Sequence, residues 1–172
     1  MMKPAMKIIS GVMLSLLTTT TGLAATALFK DSVLHITHGI VAGKDGGVYY
    51  KDIQLQAMPN GDFRVIGARS MDLAPVEEAT VAVINTQPPQ VELQIRGYLP
   101  NPCIEREPVA VAREGDEFHV LVAMNVLQTL VACIQVIQPF ELTVPLDVTD
   151  LPNGRYTVDV NNKFKLTFDL PR

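Results

Sequence analysis

A strictly alternating stretch near the C-terminus constrains the fold more than any other feature of the sequence. In "FELTVPLDV", residues 140–148, every second side chain is apolar, and Glu, Thr, Pro and Asp stand between them. A period of two residues is typical of a β-strand with one buried face. Pro145 falls on the outward face and cannot donate a ladder hydrogen bond, so this strand is expected at a sheet edge or at a bulge.

The next stretch, "RYTVDVNNKFKLTFDL", predicts a β-hairpin. Two alternating runs flank Asn161 and Asn162. Asparagine tolerates the positive φ that a tight hairpin turn requires, so the turn is expected at this pair.

Similar short runs, separated by turns rich in Pro and Gly, extend back to about residue 33. Turns every eight to twelve residues predict about nine or ten strands in a β-sandwich or barrel. Residues 131–137 are rich in β-branched side chains and are predicted as one of these strands. Residues 70–79 are predicted as a loop or a single helical turn. Charged residues on the outward faces argue against a membrane barrel.

The N-terminus has the layout of a secretory signal peptide. Lys3 and Lys7 precede a short apolar run, residues 8–17, and small residues follow at Ala25 and Ala27. The apolar run is too short to span a bilayer, which takes about 20 residues. Cleavage is expected after residue 25 or 27, and the mature chain is expected to be periplasmic or extracellular, without a transmembrane segment.

The charge of the mature chain limits the choice of partners. The whole sequence has a net charge of −4, and removal of Lys3 and Lys7 leaves 12 basic and 18 acidic residues, a net charge of −6. Nucleic-acid binding needs clustered Lys and Arg on a surface, so a nucleic-acid partner is not expected.

Cys103 and Cys133 are the only cysteines of the chain. An exported protein meets an oxidising compartment, and an even cysteine count favours pairing, so a disulfide is predicted. Free thiols, a metal site, or a catalytic Cys103 with His119 as its base remain alternatives. A metal site is less favoured because no further ligand motif accompanies the cysteines.

The other polar residues predict no catalytic, cofactor or metal site. His35 and His38 would share a face on a helix but point to opposite faces of a strand. The acidic residues Glu77 and Glu78 fall in a predicted loop, and Glu114, Asp116 and Glu117 fall in a predicted hairpin turn. Both groups are expected to be solvated rather than catalytic. No nucleotide-binding, hydrolase or zinc-protease motif occurs.

The C-terminal half resembles a known group of proteins. "GYLPNPC", a second cysteine, "PFELTVPLDV" and "LPNGRYTVDVN" resemble uncharacterised bacterial secreted proteins with a C-terminal immunoglobulin-like sandwich, over about residues 91–170. A weaker resemblance to a β-hairpin module of exported bacterial proteins rests on Tyr50, Ile53 and Leu55, followed by Gly61, Phe63 and Val65. Neither resemblance implies a catalytic residue set or a function.

The predicted fold class is therefore all-β. It is an antiparallel immunoglobulin-like β-sandwich, residues 88–172, with an additional N-terminal β-hairpin region, residues 28–87, after a signal peptide of residues 1–25. "QPPQ", residues 87–90, is the candidate linker, because two prolines disfavour both helix and ladder.

The predicted function is an exported, non-enzymatic binding module for an unknown protein or surface partner. The turn formed by Leu99, Pro100, Asn101 and Pro102 is the predicted interaction loop, because its prolines stiffen it and the disulfide anchors it. The alternatives are a structural subunit of a surface or extracellular assembly, a cysteine-dependent hydrolase, and a protease inhibitor.

Overall fold

The computed structural model describes residues 27–43, 46–84, 86–127 and 132–171, so the predicted signal segment lies outside the described residues. Within these ranges the chain forms strands and turns but no helix, and hence no helix that could cross a membrane. Fourteen strands occur there: β1 (Ala27–Lys30), β2 (Val33–Gly43), β3 (Gly46–Ala57), β4 (Phe63–Ser70), β5 (Asp72–Leu73), β6 (Val76–Ile84), β7 (Gln90–Leu99), β8 (Ile104–Arg106), β9 (Ala110–Glu114), β10 (Glu117–Leu121), β11 (Ala123–Val126), β12 (Gln138–Leu146), β13 (Gly154–Val160) and β14 (Phe164–Leu170).

The first four strands form an antiparallel meander, which we call the N-terminal sheet. The predicted turn "MPNGD" joins β3 to β4, and Gly61 in this turn has a φ of 89°. Only a residue without a Cβ adopts that conformation readily, which explains the glycine.

The following strands build a β-sandwich. One layer is the β7 sheet, with strand order β12-β7-β6, and the other is the central sheet, with order β14-β13-β10-β9. A short sheet, β5-β11-β8, lies beside them. The predicted all-β sandwich with an additional N-terminal β region is thus confirmed.

A single large apolar core joins the two layers. The alternating side chains of β7 meet those of the central sheet, and the fully buried members are Val91, Leu93, Ile95, Val120, Val158 and Val160. Rings of Phe118, Tyr156 and Phe168 pack against one another with centroids 5.5–6.3 Å apart. This is the arrangement that alternating strands with one apolar face require.

Two predictions for the C-terminal half are confirmed. Strand β12 lies at the edge of the β7 sheet, and Pro145 on it is exposed. Strands β13 and β14 form the expected hairpin, and Asn161 and Asn162 in its turn have φ values of 51° and 57°.

Strands β10 and β13 pair in parallel, within a set of sheets that is otherwise antiparallel. The register places His119 beside Asp159 and Glu117 beside Thr157. Residues 40 positions apart in the sequence thereby become neighbours on one face of the central sheet.

The prediction of a loop or helical turn for residues 70–79 is wrong, because β6 begins at Val76. A register shift between Val76 and Glu78, opposite Gly97 and Arg96, marks a β-bulge. The bulge lets Glu77 and Glu78 both face solvent while Val76 and Ala79 are buried. It therefore hides the period of two that would have revealed the strand.

The strand predicted for residues 131–137 is also not found. Residues 132–137 lie in no strand, and residue 131 lies outside the described residues. The ladder between β12 and β7 ends at the pair Gln138–Leu99. Its continuation would pair residues 134–137 with the turn that follows Leu99.

That turn cannot accept a ladder. Pro100 and Pro102 have no N–H to donate. The carbonyl of Asn101 accepts a hydrogen bond from Ile104 N at 3.2 Å, and its side-chain Oδ1 accepts one from Cys103 N at 3.0 Å. Among the described residues, the β-branched side chains of 134–137 therefore have no partner strand, although their own propensity favours one.

The predicted boundary at residue 87 falls between two paired strands. Strand β6 precedes it and β7 follows it, and the two form one antiparallel ladder. Residues 76–84 thus share a sheet with the C-terminal half of the chain.

Candidate functional site

Cys103 and Cys133 form a disulfide with a Cα–Cα distance of 6.0 Å, an ordinary separation for such a bond. Cys103 stands between the turn and β8, and Leu127 N donates to its carbonyl at 2.8 Å. Cys103 therefore carries no thiolate with which to act as a nucleophile in this form.

The disulfide and the sheet together fasten residues 133–138, which we call the clamped segment. At one end Cys133 is bound to Cys103, and at the other Gln138 pairs with Leu99. Cys103 holds one end of the clamped segment and Leu99 holds the other. Residues 134–137 are therefore fixed in place although they belong to no ladder.

The clamped segment exposes large apolar side chains. Ile134, Val136 and Ile137 are 66%, 55% and 62% exposed. Val126, which pairs with Ile104 next to Cys103, is 64% exposed. Scattered apolar residues are normal on a surface, but three within four residues form a local patch. Among the described residues no backbone hydrogen bond holds positions 134–137.

The predicted interaction loop offers less surface than the clamped segment. Leu99 is only 8% exposed and belongs to the sandwich core, and Pro100 and Asn101 are half-buried. Asn101 uses its side chain within its own turn. Pro102 is the one exposed member of this turn, so the turn mainly supports the segment that it faces.

Within the described ranges, three residue pairs make polar contacts between the N-terminal sheet and the sandwich. The Tyr49 hydroxyl donates to the carbonyl of Pro108 at 3.0 Å, and Lys51 Nζ lies 2.6 Å from Glu107 Oε1. Asn162 accepts from Gly47 N at 2.7 Å and donates to Gly47 O at 2.8 Å.

The junction perturbs the titration of Tyr49. Burial raises the pKa of this phenol to about 12, and the negative charge of Glu107 acts in the same direction. Both causes oppose the phenolate, one by removing water and the other by repulsion.

The three histidines occupy separate surroundings. His35 is exposed on β2, whereas the ring of His38 stacks on Tyr49 with centroids 5.9 Å apart. His119 is buried on β10, where its ring lies near the carboxylates of Glu117 and Asp159. The donor atoms of Glu117, His119 and Asp159 all lie within 4.8 Å of one another.

Sequence reasoning missed this cluster. Glu117 and His119 stand two residues apart on one strand, which places them on the same face. The spacing Glu-x-His is a weak signal by itself, and the third member, Asp159, joins only through the parallel pairing of β10 with β13.

Comparison with family models supports the sandwich assignment. Residues 93–170 match the model of the ORF11 beta-sandwich domain. The predicted resemblance over about residues 91–170 is confirmed at the level of a β-sandwich domain family. Comparison with curated proteins and with solved structures found no match.

Proposed function

We propose that the protein is an exported, non-enzymatic binding module that holds an extended apolar polypeptide segment of its partner. The observation that carries this proposal is the clamped segment, where Ile134, Val136 and Ile137 are exposed although both ends of the segment are fastened. It refines the sequence prediction by moving the binding surface from the Leu99–Pro102 turn to the segment opposite it.

The backbone of positions 134–137 is suited to strand addition. No proline interrupts these residues, and their β-branched side chains favour an extended conformation. In strand addition the main chain supplies hydrogen bonds and alternate side chains supply selectivity. Because the disulfide and the ladder already hold the segment in place, little further ordering is required when a partner strand binds.

Export is supported by two separate features. The N-terminus carries a positive start and a short apolar run, and the two cysteines are joined in a disulfide. Disulfides persist mainly in oxidising compartments outside the cytoplasm. A binding partner reached after export is therefore another secreted or surface protein.

A displayed library of random twelve-residue peptides tests the proposed mode of binding. We expect selection on the immobilised mature protein to enrich peptides in which β-branched or aromatic residues alternate with polar ones. Ile137 lies two residues before Pro139, so in an extended chain its amide faces the same open side. Ile137→Pro removes this donor and should abolish binding, whereas Ile137→Ala keeps the amide and should weaken binding less. Far-UV circular dichroism and thiol titration verify that both variants keep the fold and the disulfide.

Two results would contradict the proposal. One is enrichment of peptides that bind the Ile137→Pro variant as tightly as the wild type. The other is a library from which nothing is enriched above a surface without the protein.

Self-assembly is the second candidate, because the edge strands β1 and β4 also carry exposed apolar side chains. Leu28, Phe29, Phe63 and Val65 are all more than half exposed. Sizing of the same preparation across a range of concentrations separates the two candidates, since edge pairing between copies would give a ladder of oligomers.

A further inference from the structure

The outer face of the central sheet holds a cluster of three potential metal ligands. Phe118 and Val120 on β10 point into the sandwich core, so Glu117 and His119 point to the opposite face. Asp159 lies beside His119 in the parallel ladder and alternates in the same way with Val158 and Val160.

Two members of this cluster are almost completely buried. His119 is 6% exposed and Asp159 is 4% exposed. His119 Nδ1 and Asp159 Oδ1 are inaccessible to water and have no hydrogen-bond partner within the described part of the chain. Buried carboxylates are normally paired, hydrogen-bonded or bound to a metal, because an uncompensated buried charge is strongly unfavourable.

The neighbouring cation Lys165 does not compensate the negative charge of Asp159. Lys165 is its register neighbour on β14, but Lys165 Nζ lies 3.4 Å from Glu117 Oε1, and the lysine side chain is largely exposed. An exposed pair of this kind contributes little free energy.

We propose that Glu117, His119 and Asp159 bind a divalent transition-metal ion such as Zn²⁺. One imidazole nitrogen and two carboxylate oxygens are a suitable donor set for this class of ion. Two carboxylates also balance the double positive charge, so the occupied site would be neutral.

The geometry requires only small side-chain movements. Donor atoms bound to one tetrahedral ion at about 2.1 Å stand roughly 3.4 Å apart. The present donor atoms lie within 4.8 Å of one another, so each pair needs to approach by at most about 1.4 Å, which small side-chain rotations can supply. Water would complete the coordination sphere, because three protein ligands leave a fourth position open.

The site lies beside the junction between the two parts of the fold. Leu121, two residues beyond His119 on the same face of β10, packs with Tyr49 and Ile40 of the N-terminal sheet. An ion bound next to this contact would stabilise the folded form by binding it in preference to the unfolded chain.

Calorimetric titration tests the proposal on the mature chain, without a polyhistidine tag and after treatment with EDTA. We expect Zn²⁺ to bind with a stoichiometry of one per chain. A hundred-fold excess over the dissociation constant should raise the Tm by roughly 5–10 °C. Co²⁺ in the same site should give the visible absorption of a tetrahedral or five-coordinate complex.

Matched variants locate the ion. Asp159→Asn should weaken binding at least ten-fold, whereas Asp169→Asn, which changes an exposed carboxylate on β14, should leave it unchanged. Lys165→Gln removes a positive charge beside the site at an exposed position, so it should tighten binding without endangering the fold.

Three results would overturn the proposal. One is a titration with no heat and no change in Tm, as expected if His119 and Asp159 simply form an ion pair with each other. Another is equal binding by the wild type and Asp159→Asn. A third is a Lys165→Gln variant that binds Zn²⁺ more weakly than the wild type, because loss of a positive charge next to a cation site should strengthen binding.

Discussion

Tyr49 provides the sharpest test of how the N-terminal sheet is attached to the sandwich. Its side chain is fully buried, its hydroxyl donates to Pro108 O at 3.0 Å, and its pKa is raised to about 12. Tyr49→Phe keeps the ring and removes only the hydroxyl. At neutral pH the lost hydrogen bond should lower the free energy of unfolding by about 1 kcal/mol.

At alkaline pH the order of stability should reverse, so that Tyr49→Phe becomes more stable than the wild type. An unfolded tyrosine ionises near pH 10, whereas the folded Tyr49 keeps its proton until about pH 12. Its contribution is fully present below pH 10 and is lost as the pH rises from 10 through 12, because the unfolded state then binds fewer protons. The loss is about 1.4 kcal/mol at pH 11 and about 2.3 kcal/mol at pH 12.

The phenylalanine variant lacks this loss, so the two stabilities should cross near pH 11. Urea unfolding followed by far-UV circular dichroism at several pH values between 8 and 11.5 measures both proteins. Other tyrosines and the lysines titrate in this range, but they are common to both proteins and cancel in the difference. A difference that stays constant with pH would refute the account of a buried, proton-retaining Tyr49.

Two further predictions concern the sandwich itself. The purified protein, denatured without reductant, should show no free thiols, and two free thiols per chain would contradict the disulfide. A Cys103→Ala/Cys133→Ala variant should lose about 3–4 kcal/mol of stability, because the bond closes a loop of about 30 residues. Gly97→Ala should cost at least 1–3 kcal/mol, since the new Cβ would lie 2.7 Å from Phe140 Cζ and closer still to a backbone oxygen. Gly154→Ala is its control, since the only contact within 4 Å is at 3.9 Å, and equal unfolding midpoints for the two variants would contradict the packing.

Local patterns predicted the parts of the fold that local physics decides. The alternation in residues 140–148 and the Asn161–Asn162 turn both gave strands and a hairpin where the structure has them. In these stretches the alternation of apolar and polar side chains shows which face of the strand is buried, and a few neighbouring residues are enough to show it.

Patterns failed where a distant partner decides. The bulge at Glu77 and Glu78 breaks the period of two, so the start of β6 was invisible in the sequence. The composition of residues 131–137 favours a strand, yet the available neighbour is a proline-containing turn. The disulfide was predictable because the signal-like N-terminus and the even cysteine count both favour pairing. The cluster of Glu117, His119 and Asp159 instead depends on a parallel pairing that no local pattern encodes.

The open edge of β12 shows why strand addition would be confined to the clamped segment. Pro139 and Pro145 are six residues apart, so both nitrogens face the same side of the strand. The ladder with β7 is continuous from Gln138 to Leu146, and that side is therefore the open edge.

Two of the positions that would donate hydrogen bonds to an added strand are thus removed from β12. Edge prolines are a common protection against unwanted pairing. Positions 134–137 of the clamped segment carry no proline, and they keep their amide donors directly beside this protected edge. A partner strand would therefore find a short accessible stretch bounded by Cys133 and Pro139, which sets both the place and the length of the pairing.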